Sequence, residues 1–293
     1  MLTVHNFSYG LLTPVLGYLM SCMGAFLGLR CTTRAMAYQG WPRVRWLLFA
    51  GVSIGTTGIW VMHFIAMLGF TIPGGTIHYN VPITILSMFI AVAIVCVGLL
   101  IVGFGGDGYR PLLLAGLITG LGVASMHYMG MAAMRMPGRI TYDAGLFAVS
   151  VVIAVVAATA ALWAALRLSG VWHTAGAAMV MGVAVSGMHY MGMAAMRMYR
   201  APGPAGMVMG GSGGATAESF LLPLVLGISV VSFISIAAIA LSPTHEEIRS
   251  ENDLMARIGK FGSQARLPSP PSGTAQWAAW ATTTPRASPA GCC

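Results

Sequence analysis

The chain has 293 residues, 57% of them hydrophobic and 8% charged, with 15 basic and 7 acidic residues giving a net charge of +8. Soluble domains run to roughly 25% charged, so a chain with a mean hydropathy of +0.80 lacks the polar surface of a soluble globule and belongs in a bilayer. Its basic residues are spread thinly between apolar runs, which argues against a nucleic-acid surface and for topology signals facing anionic lipid.

A spanning helix needs about 20 mostly apolar residues. From the N-terminus, which has no basic region of the kind that opens a signal peptide, such runs are predicted at 9–29, 46–69, 83–104, 112–134, 146–166, 173–196 and 220–241. Helix breakers separate them: Trp41-Pro42, Pro73-Gly74-Gly75, Gly105 to Gly108, Pro137-Gly138 and the Pro/Gly-rich stretch 202–214. Arg30, Arg34, Arg43, Arg45, Arg110 and Arg167 fall in the loops that share a side with the C-terminal tail, and Arg249, Arg257, Lys260, Arg266 and Arg286 add to that side. The opposite loops hold Arg135, Arg139, Arg197 and Arg200. The positive-inside rule therefore places the N-terminus outside and the tail in the cytoplasm.

Three even-numbered spans close on related segments: MHFIAMLGF at 62–70, and MHYMGMAAMRM at both 126–136 and 188–198. The expected fold is an all-α membrane protein of seven transmembrane helices, built from three two-helix repeats plus a seventh helix that connects to the tail. Residues 1–242 form this membrane domain. Residues 243–293 form a cytoplasmic tail, a short helix starting near Thr244 and then a Pro/Ser/Ala/Thr-rich stretch read as disordered. The tail is too short to house a catalytic output domain.

On this topology the three segments lie at one depth near the outer face. From His127, helical spacing puts Gly130, Met131 and Met134 outward on the same face and Ala124, Gly120 and Gly116 inward. From His189 it puts Gly192, Met193 and Met196 outward, and Ser186, Gly182 and Ala178 inward. Stripes of small residues mark close helix packing in membranes, so both histidines turn to the bundle interior. His63 has Ala66 and Met67 on its face but Ile59 and Trp60 below, a weaker stripe.

A histidine inside a bilayer is costly and calls for a partner or a function. Thioethers mixed with imidazole suit copper, Cu(I) above all. The candidate ligands are Met62, His63, Met67, Met126, His127, Met131, Met188, His189 and Met193, in one mixed site or two. Carboxylates are absent from the segments, with Asp107, Asp143 and Glu218 in loops, which leaves little for Mg²⁺ or Ca²⁺. His5 is a candidate fourth ligand and His78 a candidate cap, while His173 and His245 fall on the opposite side. Tyr128 and Tyr190, with Phe64 in the first copy, read either as an interfacial aromatic belt or as phenols bonding to the site. Cys22, Cys31, Cys96, Cys292 and Cys293 form no zinc or redox spacing. No Ser/His/Asp or Cys/His arrangement, phosphate loop or carboxylate pair indicates an enzyme.

Three Met-His-aromatic segments at matching helix ends resemble the MHYT domain, a bacterial membrane sensor module, over roughly residues 5–241. The Met and His letters are intact at Met62/His63, Met126/His127 and Met188/His189, while the fourth letter is Ile65, Met129 and Met191 where the family has threonine. The resemblance implies a copper site near the outer face that senses a diatomic gas (O₂, CO or NO) or a redox signal. It also implies cytoplasmic cyclic di-GMP or kinase domains, which are not found in this sequence, so the expectation is a separate cytoplasmic partner or no signalling role. Rival readings are a copper transporter, whose ligands would run through the membrane depth, a haem protein, and a structural membrane protein.

Overall fold

A computed structural model describes residues 8–199, apart from 73–76, 107, 137, 138 and 169, together with isolated positions beyond them. The predicted span at 220–241 lies almost wholly outside the described residues, as do His5, His245 and nearly all of the tail. The chain separates into two compact units, Met1–Ser242 and Pro243–Cys293.

Among the described residues, six helices are long and apolar enough to cross a membrane: α1 Leu12–Ala37, α2 Trp41–Leu68, α3 Val81–Phe104, α4 Tyr109–Ala132, α5 Ala144–Arg167 and α6 Val171–Ala195. The fold is all-α and the protein is a multi-pass membrane protein. α1 runs well past its predicted end because Arg30 and Arg34 continue the helix beyond the apolar run. Local chemistry sets the other boundaries. Asn80 caps α3 by accepting from the Ile83 N–H at 3.3 Å. Asp143 caps α5 by accepting from Gly145 and Leu146 at 3.0 and 3.1 Å. Gly40 and Gly170 precede α2 and α6 at φ +66° and +85°, a backbone region that favours glycine.

The helices close into a ring in which each packs on its sequence neighbours and α6 packs on α1. Small residues let the backbones touch. A Cβ on Gly24 would overlap Gly58 across the α1–α2 contact, and one on Gly120 would overlap Val155 across the α4–α5 contact. Gly182 likewise faces Cys22 and Tyr18 across the α6–α1 contact. Outward, Leu113, Leu117 and Leu121 of α4 and Val149, Val152 and Val156 of α5 are exposed, as lipid-facing positions should be.

The middle of α2, Ser53–Val61, is π-helical. A π turn holds more residues than an α turn, so side chains below His63 do not follow 3.6-residue spacing. Ile59 is buried in the bundle, while Trp60 swings to α3, its Nε1–H donating to the Thr84 carbonyl at 3.2 Å and to Ser87 Oγ at 3.1 Å. The weak stripe read below His63 is thus a change of helical geometry. Such turns recur at functional sites.

Short strands gather the segments that follow the histidine-bearing helices. β1 His78–Tyr79 pairs antiparallel with β2 Met134–Arg135 and with β5 Ala215–Thr216, and β3 Arg139–Tyr142 pairs with β4 Met196–Tyr199. Met134 and Met196, expected on helical stripes, therefore sit in strands, because these pairings take over the backbone once the helices end. Both remain buried.

Candidate metal centre

α2, α4 and α6 are not neighbours in the ring, yet they touch one another through the ends that carry the repeated segments. The contact is made by histidines. Nδ1 of His63 lies 3.0 Å from Nδ1 of His189 and 3.2 Å from Nδ1 of His127. The three ring centroids are 5.0 to 5.1 Å apart, and each ring stands at 80° to 89° to the other two. All three side chains are at most 1% exposed. Among the described residues this group holds no cysteine or carboxylate.

The outer edges of two rings are set by glycine. A Cβ on Gly130 would run into Nε2 of His63, and a Cβ on Gly192 would run into Nε2 of His127. Each of these glycines follows its own histidine by three residues, so one turn of helix supplies a ring to the centre and a resting place for its neighbour's ring. Nε2 of His63 and of His127 are buried without a hydrogen-bond partner.

That arrangement constrains the protons. A neutral imidazole carries one N–H and one lone pair. If all three Nδ1 atoms were protonated, three N–H groups would point at one another, and if all were bare, three lone pairs would. A cation among the Nδ1 atoms removes the second conflict and leaves each ring as its Nε2–H tautomer. Neutral imidazole nitrogen is a common ligand for Cu, Zn, Fe and Ni. The donor set fits a metal ion.

The methionines divide into two layers. Met126 and Met188, just before their histidines, join the inner apolar core, and Met62 is buried against α1 at Gly17. Met67, Met131 and Met193, one turn past the histidines, join a second cluster with Met134, Met196, Met198, Phe64 and Tyr79. Met131 and Met193 are buried, whereas Met129 and Met191 are half-buried. This separation follows the helical spacing. It leads to an expected result in which Met131→Leu with Met193→Leu weakens Cu(I) binding and Met129→Leu with Met191→Leu leaves it nearly unchanged. Leucine conserves volume, so either pair should cost less than about 1.5 kcal/mol per site. Equal Cu(I) affinities in a competition titration would remove the thioethers from the site.

Other candidates stand apart from the histidines. The Tyr128 hydroxyl bonds Ser150 Oγ on α5 at 2.6 Å and its ring packs on Phe147 and Tyr142, so the phenol points away from the Nδ1 atoms. His78 lies in β1 and is not part of the trio, and His173 is exposed at the start of α6. Tyr79 is 3% exposed, and burial pushes its phenol above the ordinary value, so the cluster over the trio stays uncharged. Asp143 pairs with Arg197 at 3.7 Å, each side chain 42% exposed, a surface contact of little energetic weight.

Comparison with known proteins places this geometry. The family model for MHYT, a bacterial signalling protein N-terminal repeat, matches residues 57–116 and 120–178, one histidine segment in each. The chain carries an MHYT domain. The third segment, around His189, falls outside those matches but repeats the second letter for letter. The MHYT chain is 35% identical over 239 residues to the bifunctional diguanylate cyclase/cyclic di-GMP phosphodiesterase MucR of Pseudomonas aeruginosa, covering 80% of this chain and 33% of that protein. It is 36% identical over 199 residues to the cyclic di-GMP phosphodiesterase NbdA of the same organism, covering 66% of this chain and 25% of that one. With the signaling protein YkoW of Bacillus subtilis it shares 29% identity over 207 residues, 66% of this chain and 25% of that one. The MHYT chain thus spans a quarter to a third of the length of these relatives. No solved structure matches it.

Sequence reasoning found the MHYT histidines but missed the role of Gly130 and Gly192. The signal was present in the identical copies, where glycine stands three residues after histidine. What it lacked was the direction of a ring on the neighbouring helix.

Proposed function

We propose that this chain is a membrane sensor whose three histidines hold a copper ion near the outer face, and that it reports a diatomic gas or a redox change to the cytoplasmic side. The observation that carries this reading is the buried meeting of three Nδ1 atoms, those of His189 and His127 lying 3.0 and 3.2 Å from that of His63. Three imidazoles cost too much to bury in a membrane as filler, and a cation gives them a purpose. Copper is favoured over zinc by the thioether-rich layer packed beyond the trio and by the lack of a carboxylate among the grouped ligands. The ion would supply a redox-active, Lewis-acidic centre, and the chain's part is to fix the three rings and keep water out. The relatives' names describe whole proteins that make or degrade cyclic di-GMP, and this chain corresponds to a minor part of each, in keeping with a sensory module. Metal analysis of detergent-purified protein tests the reading. About one copper per chain supports it, and no metal above background after reconstitution with Cu(I) or Cu(II) overturns it.

Orientation follows from the arginine bias. A reporter fused after Pro243 is expected to behave as cytoplasmic and one inserted in 199–218 as external. The reverse pattern would put the histidine end on the cytoplasmic side.

A further inference from the structure

Next to the histidines the bundle holds a partly open cavity of about 60 Å³. Its wall includes Val123 and Val185, each four residues before a histidine on a regular α-helix, together with Ile59 on α2, so the cavity begins about one helical turn inward of the trio. Met188, adjacent in chain to His189, also lines it, and much of the remaining wall is alanine from α5, Ala158 among them. One lining hydroxyl, Oγ1 of Thr119, is buried with no hydrogen-bond partner.

These properties select an occupant. An internal water needs two to four polar partners, and a single threonine hydroxyl cannot supply them, so the cavity stays dry. Dry engineered cavities of about 150 Å³ accept benzene or xenon. A space of about 60 Å³ is too small for a ring or a lipid tail, which leaves molecules of one or two heavy atoms. The wall carries no charge to hold an ion. We propose that this cavity binds an apolar gas molecule of that size, dioxygen, nitric oxide or carbon monoxide, and stores it one helical turn from the histidine trio. Its use to a sensor rests on the metal reading above, but the binding itself does not.

Xenon tests the binding without any metal chemistry. The full chain, metal-free in detergent, is titrated with xenon and followed by ¹²⁹Xe NMR. The wild type is expected to show one saturable site. Ala158→Val adds two carbons to the wall and should weaken that site about tenfold or more, a change of roughly 1.4 kcal/mol. Leu162→Ala enlarges the same cavity and should tighten it. A wild type without a saturable site, or equal affinities in the wild type and Leu162→Ala, overturns the proposal, so the outcome does not depend on whether Ala158→Val folds. Xenon binding by a protein that takes up no metal would end the metal reading and leave the cavity standing. Metal uptake with no xenon site would do the opposite.

Discussion

Replacing His127 by alanine is expected to strip the purified protein of nearly all its bound metal. The trio offers three nitrogens at one point, and Nδ1 of His127 is one of the two that lie within 3.2 Å of His63. Changes to groups that merely orient a ligand cost roughly 10–100-fold in affinity, so loss of a ligand should cost more than about 100-fold. His63→Ala and His189→Ala should behave alike, because no other histidine, cysteine or carboxylate joins the group among the described residues. The metal-free variant should also lose stability, since the substitution leaves a cavity and removes a partner of His63. Stabilisation by metal should disappear. At a free metal concentration 100 times the Kd, binding adds about 2.7 kcal/mol, and thermal melts with and without metal should differ in the wild type and coincide in the variants. Unchanged metal content in all three variants would make the histidines packing residues and end the sensor reading built on them.

Gly192→Ala should damage the centre almost as severely, although it touches no ligand atom by chemistry. On helix propensity alone, alanine favours α6 by about 0.8–1.0 kcal/mol over glycine. The new methyl, however, would occupy the space of His127 Nε2. Overpacking of this kind typically costs about 1–3 kcal/mol, and it pushes the ring toward the other two. Gly130→Ala should do the same to His63. Gly187→Ala is the control, because its Cβ would meet nothing within 4 Å on the same helix, and it should be neutral or stabilising. The expected result is a lower melting temperature and at least about a tenfold loss of metal affinity for Gly130→Ala and Gly192→Ala, with Gly187→Ala matching the wild type. If Gly192→Ala matched Gly187→Ala, His127 could not rest on α6 as described.

Much of this organisation was readable before any coordinates. Composition required a membrane, hydropathy located the six described spans, and the repeated segments singled out His63, His127 and His189 as a convergent set. Burial of Met131 and Met193 beside half-buried Met129 and Met191 follows from helical spacing alone. Features that depend on a partner element were not readable. The π turn before His63 comes with a backbone pressed against two neighbours, Gly58 on α1 and Gly55 on α3, and no local residue pattern encodes it. The ends at Met134 and Met196 were misread because strand pairing with His78–Tyr79 and Arg139–Tyr142 competes there with helix continuation. The cavity below the trio depends on how alanines of α5 meet three other helices, which a one-dimensional pattern does not contain.

Closure of the helical ring also has a kinetic meaning. Five of its six contacts join helices that follow one another in the chain, so each can form as a local hairpin. The contact of α6 with α1 is different. It brings Met179 and Gly182 against Tyr18 and Cys22, including a bond from the Tyr18 hydroxyl to the Met179 carbonyl at 3.4 Å. The entropy of closing a long loop is therefore concentrated at one seam, and contacts of large sequence separation form late. This seam is expected to be the last part of the ring to assemble. His63 and His189 lie on hairpins at opposite ends of that order and meet only once the ring is shut, so an ion shared between them would act as a latch on the final step of folding.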